Sequence, residues 1–331
     1  MLYFTLNFKM PIDRIKELLN PKIEAMHQII MAKTKTKNDL AANVVDYIFS
    51  SGGKRIRPMV IFLSAGACEY KGSDDVAIAA LIECFHTATL LHDDVIDNSL
   101  LRRGIPTVNS KWCDKTSILV GDFLFTLAVE LMTQVNHFEI QQLLATSSHD
   151  VTCGELKQLS LQYTSSQNVE DYLEIIRCKT AVLFALSSCI GPLLTTKYKH
   201  FEKEFYNYGL HLGKTFQLID DTLDFAADEQ VTGKSLGTDL ADGKATLPLL
   251  HVLKNGNELQ RKLVATSLAN GSKEHWGDIL DAIEATGAIE YTRAVANREK
   301  ELAIAAITNI PDSNYKEALI DLAQFALERS S

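Results

Sequence analysis

Positive charge is in short supply in this sequence: 33 Lys and Arg stand against 42 Asp and Glu, a formal net charge of −9. A general nucleic-acid binder concentrates cations to neutralise phosphates, so that class is set aside. Cysteine is sparse as well. The six residues Cys68, Cys84, Cys113, Cys153, Cys178 and Cys189 are scattered through apolar segments without the paired spacing of a zinc site, and they read as reduced core residues of a cytoplasmic protein. Alternating strand patterns are nearly missing. No stretch reaches the roughly 18 uninterrupted apolar residues of a membrane span. Residues 1–10 show no charged leader, long apolar core or cleavage site. Neither a Gly/Ser-rich or Pro-rich linker nor a fixed repeat divides the chain, so residues 1–331 read as one domain.

What is present is helical. Hydrophobic residues make up 46% and charged residues 23%, enough apolar surface for a sizeable core. Apolar positions recur at three and four residues through 12–31, 38–49, 56–69, 74–98, 116–135, 138–161, 169–190, 201–226, 245–256, 274–286, 288–308 and 314–328. Most of the seven prolines fall where this periodicity starts or stops. The fold class is therefore all-α. Segments 74–98 and 116–132 are apolar on most sides, as helices at the centre of a bundle are. Facing helices of a bundle core are common places to build a metal site.

Two acidic motifs stand out, Asp93-Asp94-Val95-Ile96-Asp97 and Asp220-Asp221-Thr222-Leu223-Asp224. On a helix Asp93 and Asp97 are i and i+4, as are Asp220 and Asp224, so each motif lines up carboxylates on one face. Both follow apolar runs near expected helix ends, where negative charge opposes the macrodipole. A single such cluster reads equally as a solvated helix end. Two copies after buried runs point to a cation, and Mg²⁺ suits hard oxygen ligands shared with substrate phosphates. An EF-hand is excluded because Val95 falls at the third position of its loop, where an oxygen ligand is needed.

Cations gather around these rows. Lys54, Arg55 and Arg57 follow Gly52-Gly53 at an expected helix start, a natural anion site. Surface charge is the competing reading. Arg102-Arg103 lies beyond the first row, Lys179-Thr180 interrupts an apolar helix, and Lys234 and Lys244 lie in or beside the polar loop Gly233–Gly243. His86 is two turns before Asp93; a lone histidine there reads as a satisfied core residue or a ligand, and His92 is equally open.

These motifs, with Gly121-Asp122 and Phe216–Asp224, resemble the trans-isoprenyl diphosphate synthases over nearly the whole chain, and within them the long-chain bacterial octaprenyl type. The resemblance implies a large helical bundle around a deep central cavity, a homodimer, Mg²⁺, and two substrates, isopentenyl diphosphate and an allylic diphosphate such as farnesyl diphosphate. It gives isopentenyl diphosphate to Lys54, Arg57, His86 and Arg103. The allylic diphosphate falls to Arg102, Lys179, Thr180, Gln217, Lys234 and Lys244. It counts Asp93, Asp97 and Asp220 as metal ligands, with Asp94, Asp221 and Asp224 acting through water or by orientation. Small residues at Ala88 and Thr89, where short-chain relatives carry a bulky aromatic, imply a long product such as octaprenyl diphosphate for quinone side chains. Phe85, Phe125 or Met132 is the expected floor of the tunnel. Release of so apolar a product implies transient contact with a membrane surface. Alternatives are a shorter-chain geranylgeranyl synthase, a terpene cyclase, which binds one diphosphate, and a non-catalytic partner subunit.

Overall fold

Polar side chains open several of the helices as the sequence leads one to expect. Asn38 accepts hydrogen bonds from the Leu40 and Ala41 N–H groups, Asn168 from Asp171 and Ser313 from Lys316, each satisfying an orphan donor of a first turn. The structure is a computed structural model that describes residues 11–35, 38–102, 104–164, 166–225 and 236–329. Residues 1–10, Arg103 and Lys234 lie outside the described residues.

The first half runs α1 (Pro11–Lys35), α2 (Asp39–Ser50), α3 (Ile56–Ala67), α4 (Asp74–Ile96), α5 (Val108–Lys111), α6 (Asp114–Gln134) and α7 (Phe138–Leu161). It continues through α8 (Val169–Ile176), α9 (Val182–Leu193) and α10 (Glu202–Leu223). Helices Thr238–Ala241, Leu247–Asn255, Glu258–Asn270, Trp276–Ala285, Ala288–Ala306 and Asn314–Glu328 complete the chain. The larger core packs α4 on α6, α3 on α9 and the last helix on α3, while a smaller one gathers Leu247–Asn255, Glu258–Asn270, Trp276–Ala285 and the start of Ala288–Ala306 around Leu249, Val264 and Ile279. Helix α10 belongs to both, since Leu212 lies in the first core and Leu218 and Ile219 in the second. The closest helix contact needs glycine: a Cβ at Gly191 on α9 would sit 2.2 Å from the Ser64 carbonyl oxygen on α3.

The departures from the periodic reading have physical causes. Segment 169–190 is not one helix but two, joined by the π-helical turn Arg177–Ala181. Helix Glu258–Asn270 escaped the apolar pattern because few of its residues are buried, although Asn257 and Gln260 form a reciprocal capping box at its start. Pro21 and Pro192 sit inside helices rather than between them. A two-residue antiparallel ladder, Leu101–Arg102 against Ile105–Pro106, turns through Gly104, whose φ of 76° suits glycine. Cys113 and Cys153 are exposed, so only four of the cysteines are core residues.

Helix α6 differs most. Only part of it is central; Leu119 is 67% exposed, and Ile118, Phe125 and Val129 are exposed with it. By length and composition α4 and α6 could each cross a membrane, but the apolar stretch of α4 is 67% buried within the protein.

Candidate active site

Both acidic rows end their helices. Asp97 caps the C-terminus of α4 and Asp224 that of α10, so each row faces carbonyl ends that repel negative charge. Side-chain cations offset this. Lys244 Nζ lies 2.9 Å from Asp97, Arg102 donates through Nε and Nη2 to Asp94 Oδ1 at 2.9 and 2.7 Å, and Arg329 donates to Asp220. Burial pulls the Lys244 ammonium down, yet Asp97, Asp239 and Asp242 more than offset it and hold the group above the ordinary lysine value. Arg102 is likewise raised against its burial, by Asp94 and then by Asp93 and Asp220, which places both rows in the field of one guanidinium.

The six motif aspartates separate into two kinds. Asp93, Asp97 and Asp220 keep part of their surface open, whereas Asp94 is 4% exposed and turned by one residue's rotation toward Arg102. In this structure Asp94 anchors an arginine. Asp221 is buried between the Tyr172 hydroxyl at 2.6 Å and Gln217 Nε2 at 2.8 Å, and Asp224 accepts from the Thr238 and Asp239 N–H groups.

A cleft opens beside the rows, lined by Gln158, Tyr172, Lys179, Thr180, Gln217 and Lys244 among others. The π-helical turn carries Lys179 and Thr180 to its wall. Such turns insert one residue and occur mostly at functional positions. Thr180 Oγ1 donates to Gln217 Oε1 at 2.8 Å, so Thr180, Gln217, Asp221 and Tyr172 form one hydrogen-bonded chain, and Lys179 pairs with Glu155 of α7.

The basic loop forms a second group. Gly52 and Gly53 have φ of 82° and 149°, and Arg55 is itself left-handed at 49°. Arg55 is no free cation: it pairs with buried Glu83 at 2.5 Å and lies over the Phe49 ring, which fixes the loop on α4. Lys54 lies 5.4 Å from the Phe325 ring centroid. Arg57 Nη1 donates to His86 Nε2 at 2.9 Å; since a guanidinium cannot accept, His86 offers a lone pair here and holds its proton at Nδ1. Burial lowers Arg57 to about 10, partly offset by Glu83, and its buried Nε has no hydrogen-bond partner. An anion brought to that donor would satisfy it.

His92 faces α6, where it lies 3.4 Å from Asp122 and against Gly121, leaving no room there for a Cβ. Ala88 is 1% exposed, Thr89 donates back to the His86 carbonyl at 2.8 Å, and the rings of Phe85 and Phe125 meet at 5.9 Å lower on α4 and α6.

The residues fit a divalent metal by their chemistry. Burial raises the Asp93 carboxyl to about 7, Glu155 and Asp97 push the same way, and Lys179 and Arg102 counter them only in part. The cations around Asp93 therefore compensate its carboxylate only in part. Among the described residues no three acidic or histidine side chains already form a cage. Mg²⁺ needs none, because it keeps waters and completes its shell with substrate phosphates.

Glu83, Glu155, Tyr172 and Arg329 were missed from sequence. Each acts through a partner more than 20 positions away, and only the buried placement of Glu83 within an apolar helix carried a local signal.

The comparisons agree with this geometry. The polyprenyl synthetase family model matches residues 38–285. The octaprenyl diphosphate synthase of Escherichia coli (strain K12) is 39% identical over 97% of this chain and 99% of its own length. A geranyl-diphosphate-specific all-trans-nonaprenyl-diphosphate synthase of Rhodobacter capsulatus is 36% identical over 97% and 99%. Among solved structures, a polyprenyl synthase from Caulobacter crescentus complexed with calcium and isoprenyl diphosphate superposes with a TM-score of 0.92, at 33% identity over 97% of this chain and 98% of that one. Family model, near full-length identity and fold together establish that this chain belongs to the polyprenyl synthetase family, as a long-chain trans-prenyl diphosphate synthase.

Proposed function

We propose that the enzyme adds isopentenyl diphosphate units head to tail onto an allylic diphosphate, with farnesyl diphosphate as primer, and stops at octaprenyl diphosphate for quinone side chains. The observation that carries this reading is the presence of two separate cation groups, one beside the acidic rows and one where the basic loop meets α4. Arg102, Lys179 and Lys244 stand with the acidic rows, and Lys54, Arg57 and His86 stand on the basic loop and α4. Two diphosphates need two such groups, whereas a cyclase needs one.

Asp93, Asp97 and Asp220 would hold Mg²⁺, which when bound neutralises the leaving diphosphate. Lys179, Arg102 and Lys244 orient that group and share its growing charge. Thr180 and Gln217, locked in their hydrogen-bonded chain, fix the wall against which the allylic carbon lies. Lys54, Arg57 and His86 hold the acceptor so that its double bond reaches the allylic cation. The departing diphosphate takes the proton then lost, so no side-chain base is required. Apolar walls below the mouth exclude water from the cation.

Incubation with Mg²⁺, isopentenyl diphosphate and farnesyl diphosphate, with mass measurement of the product, tests this. An octaprenyl product is expected. A geranylgeranyl product would mark a shorter-chain synthase, a cyclic hydrocarbon a cyclase, and activity only after adding another subunit a partner role. Lys54→Ala and Arg57→Ala should raise KM for isopentenyl diphosphate by about tenfold or more and that for the allylic substrate less, with the opposite bias at Lys179→Ala. Equal effects on both substrates would remove the division between the two groups.

The exposed apolar face of α6 supports a homodimer. Ile118, Phe125 and Val129 recur at helical spacing beside Leu119, a patch that a lone protein rarely leaves open. Leu119→Glu with Val129→Glu should halve the mass seen in sedimentation; an unchanged dimer would place the interface elsewhere. The same reading puts the enzyme in the cytoplasm, with brief contact at a membrane surface as product leaves.

A further inference from the structure

Arg329 caps the end of helix Asn314–Glu328 and lies beside the second acidic row. Its side chain is 4% exposed, and the guanidinium lies 3.8 Å from the Phe216 ring centroid while Nη2 donates to Asp220. Phe216 and Asp220 are i and i+4 on α10, so one face of that helix supplies both the stacking surface and the carboxylate. The fit is incomplete. Arg329 Nε is buried without a hydrogen-bond partner, although an arginine paired permanently with a carboxylate commonly uses two parallel donors. Leaving a buried donor unmet is costly, which marks this as a contact held for want of another cation.

We propose that Arg329 is an internal counter-ion that stands in for the metal at Asp220 while the site is unloaded, and that metal binding at the second row requires its guanidinium to leave. This rests on Asp220 being a metal ligand. A metal ion brought to Asp220 Oδ1 would sit against Arg329 Nη2, and two positive charges that close repel. The pairing therefore offsets the charge of Asp220 without metal, at the expense of metal affinity.

The test is binding of Mn²⁺ alone to the full chain, read from the electron paramagnetic resonance of the free ion. Arg329→Met keeps an apolar stem for Phe216 and loses the charge; it should bind Mn²⁺ roughly tenfold more tightly than the parent. Arg329→Gln gives the same readout should the Met variant not fold. Unchanged or weaker binding in a folded variant overturns the proposal. In an Asp220→Asn background the gain should vanish, and its persistence would show that Arg329 acts elsewhere, which also overturns it. If the parent and every Arg329 variant bind no Mn²⁺ even with inorganic diphosphate added, the metal assignment of Asp220 fails, and the counter-ion with it.

Discussion

Replacing Asp93 or Asp220 with Ala lowers turnover by about a thousandfold or more, while the helical circular dichroism stays that of the parent. Neither carboxylate packs the core. Asp93 is partly exposed at the end of α4, and Asp220 meets solvent on the face of α10 opposite the buried Leu218 and Ile219. Removing either leaves the hydrophobic contacts whole and takes away an oxygen donor where the leaving diphosphate sheds its charge. Steady-state rates over a Mg²⁺ titration check this. Near-parental turnover at saturating Mg²⁺ would take the metal away from these two positions. Chelation should abolish parental activity, and added Mg²⁺ should restore it.

Ala88→Phe should keep the enzyme active and shorten its product to about fifteen or twenty carbons, since a helical turn spans only about 5.4 Å and Ala88 lies little more than one turn below Asp93. Ala88 is fully buried, one turn above the Phe85 and Phe125 pair. A ring introduced there meets the growing chain early. In a core with no chain to receive, the same ring would overpack and cost about 1–3 kcal/mol, so thermal unfolding must be measured alongside product mass. A stable, active variant that still makes the parental length would falsify the path of the tunnel past Ala88. Met132→Ala, deeper on α6 and half-buried, is the complementary change and should lengthen the product.

The acidic rows were legible because their chemistry repeats a local spacing. Asp93 with Asp97 and Asp220 with Asp224 are each a helical turn apart, and the apolar runs before them announce a buried helix. Helix α4 could be read for the same reason. Features that depend on partners distant in the chain stayed hidden. Nothing in Asp94 distinguishes it from Asp93 until Arg102 claims it, and nothing in Arg55 marks it as structural until Glu83 pairs with it from 28 positions away. The apolar character of α6 was visible, but whether it faces a core or solvent is decided by its neighbours. The capping box at Asn257, like the glutamate Glu83 within its apolar helix, was a local signal passed over.

The π-helical turn Arg177–Ala181 behaves as a single extra letter in the spelling of a helix. Deleting one residue from it would let α8 and α9 run together as an unbroken α-helix. The buried faces of both flanking helices would keep their phase, because a π-bulge takes up its extra residue without rotating the helix on its far side. The shortened chain should therefore fold, and with better backbone hydrogen bonding than its parent. It would lose the widened turn that brings Lys179 and Thr180 to the cavity wall. A stretch of cleft wall has thus been added to an otherwise ordinary core helix by one residue that the fold itself does not need.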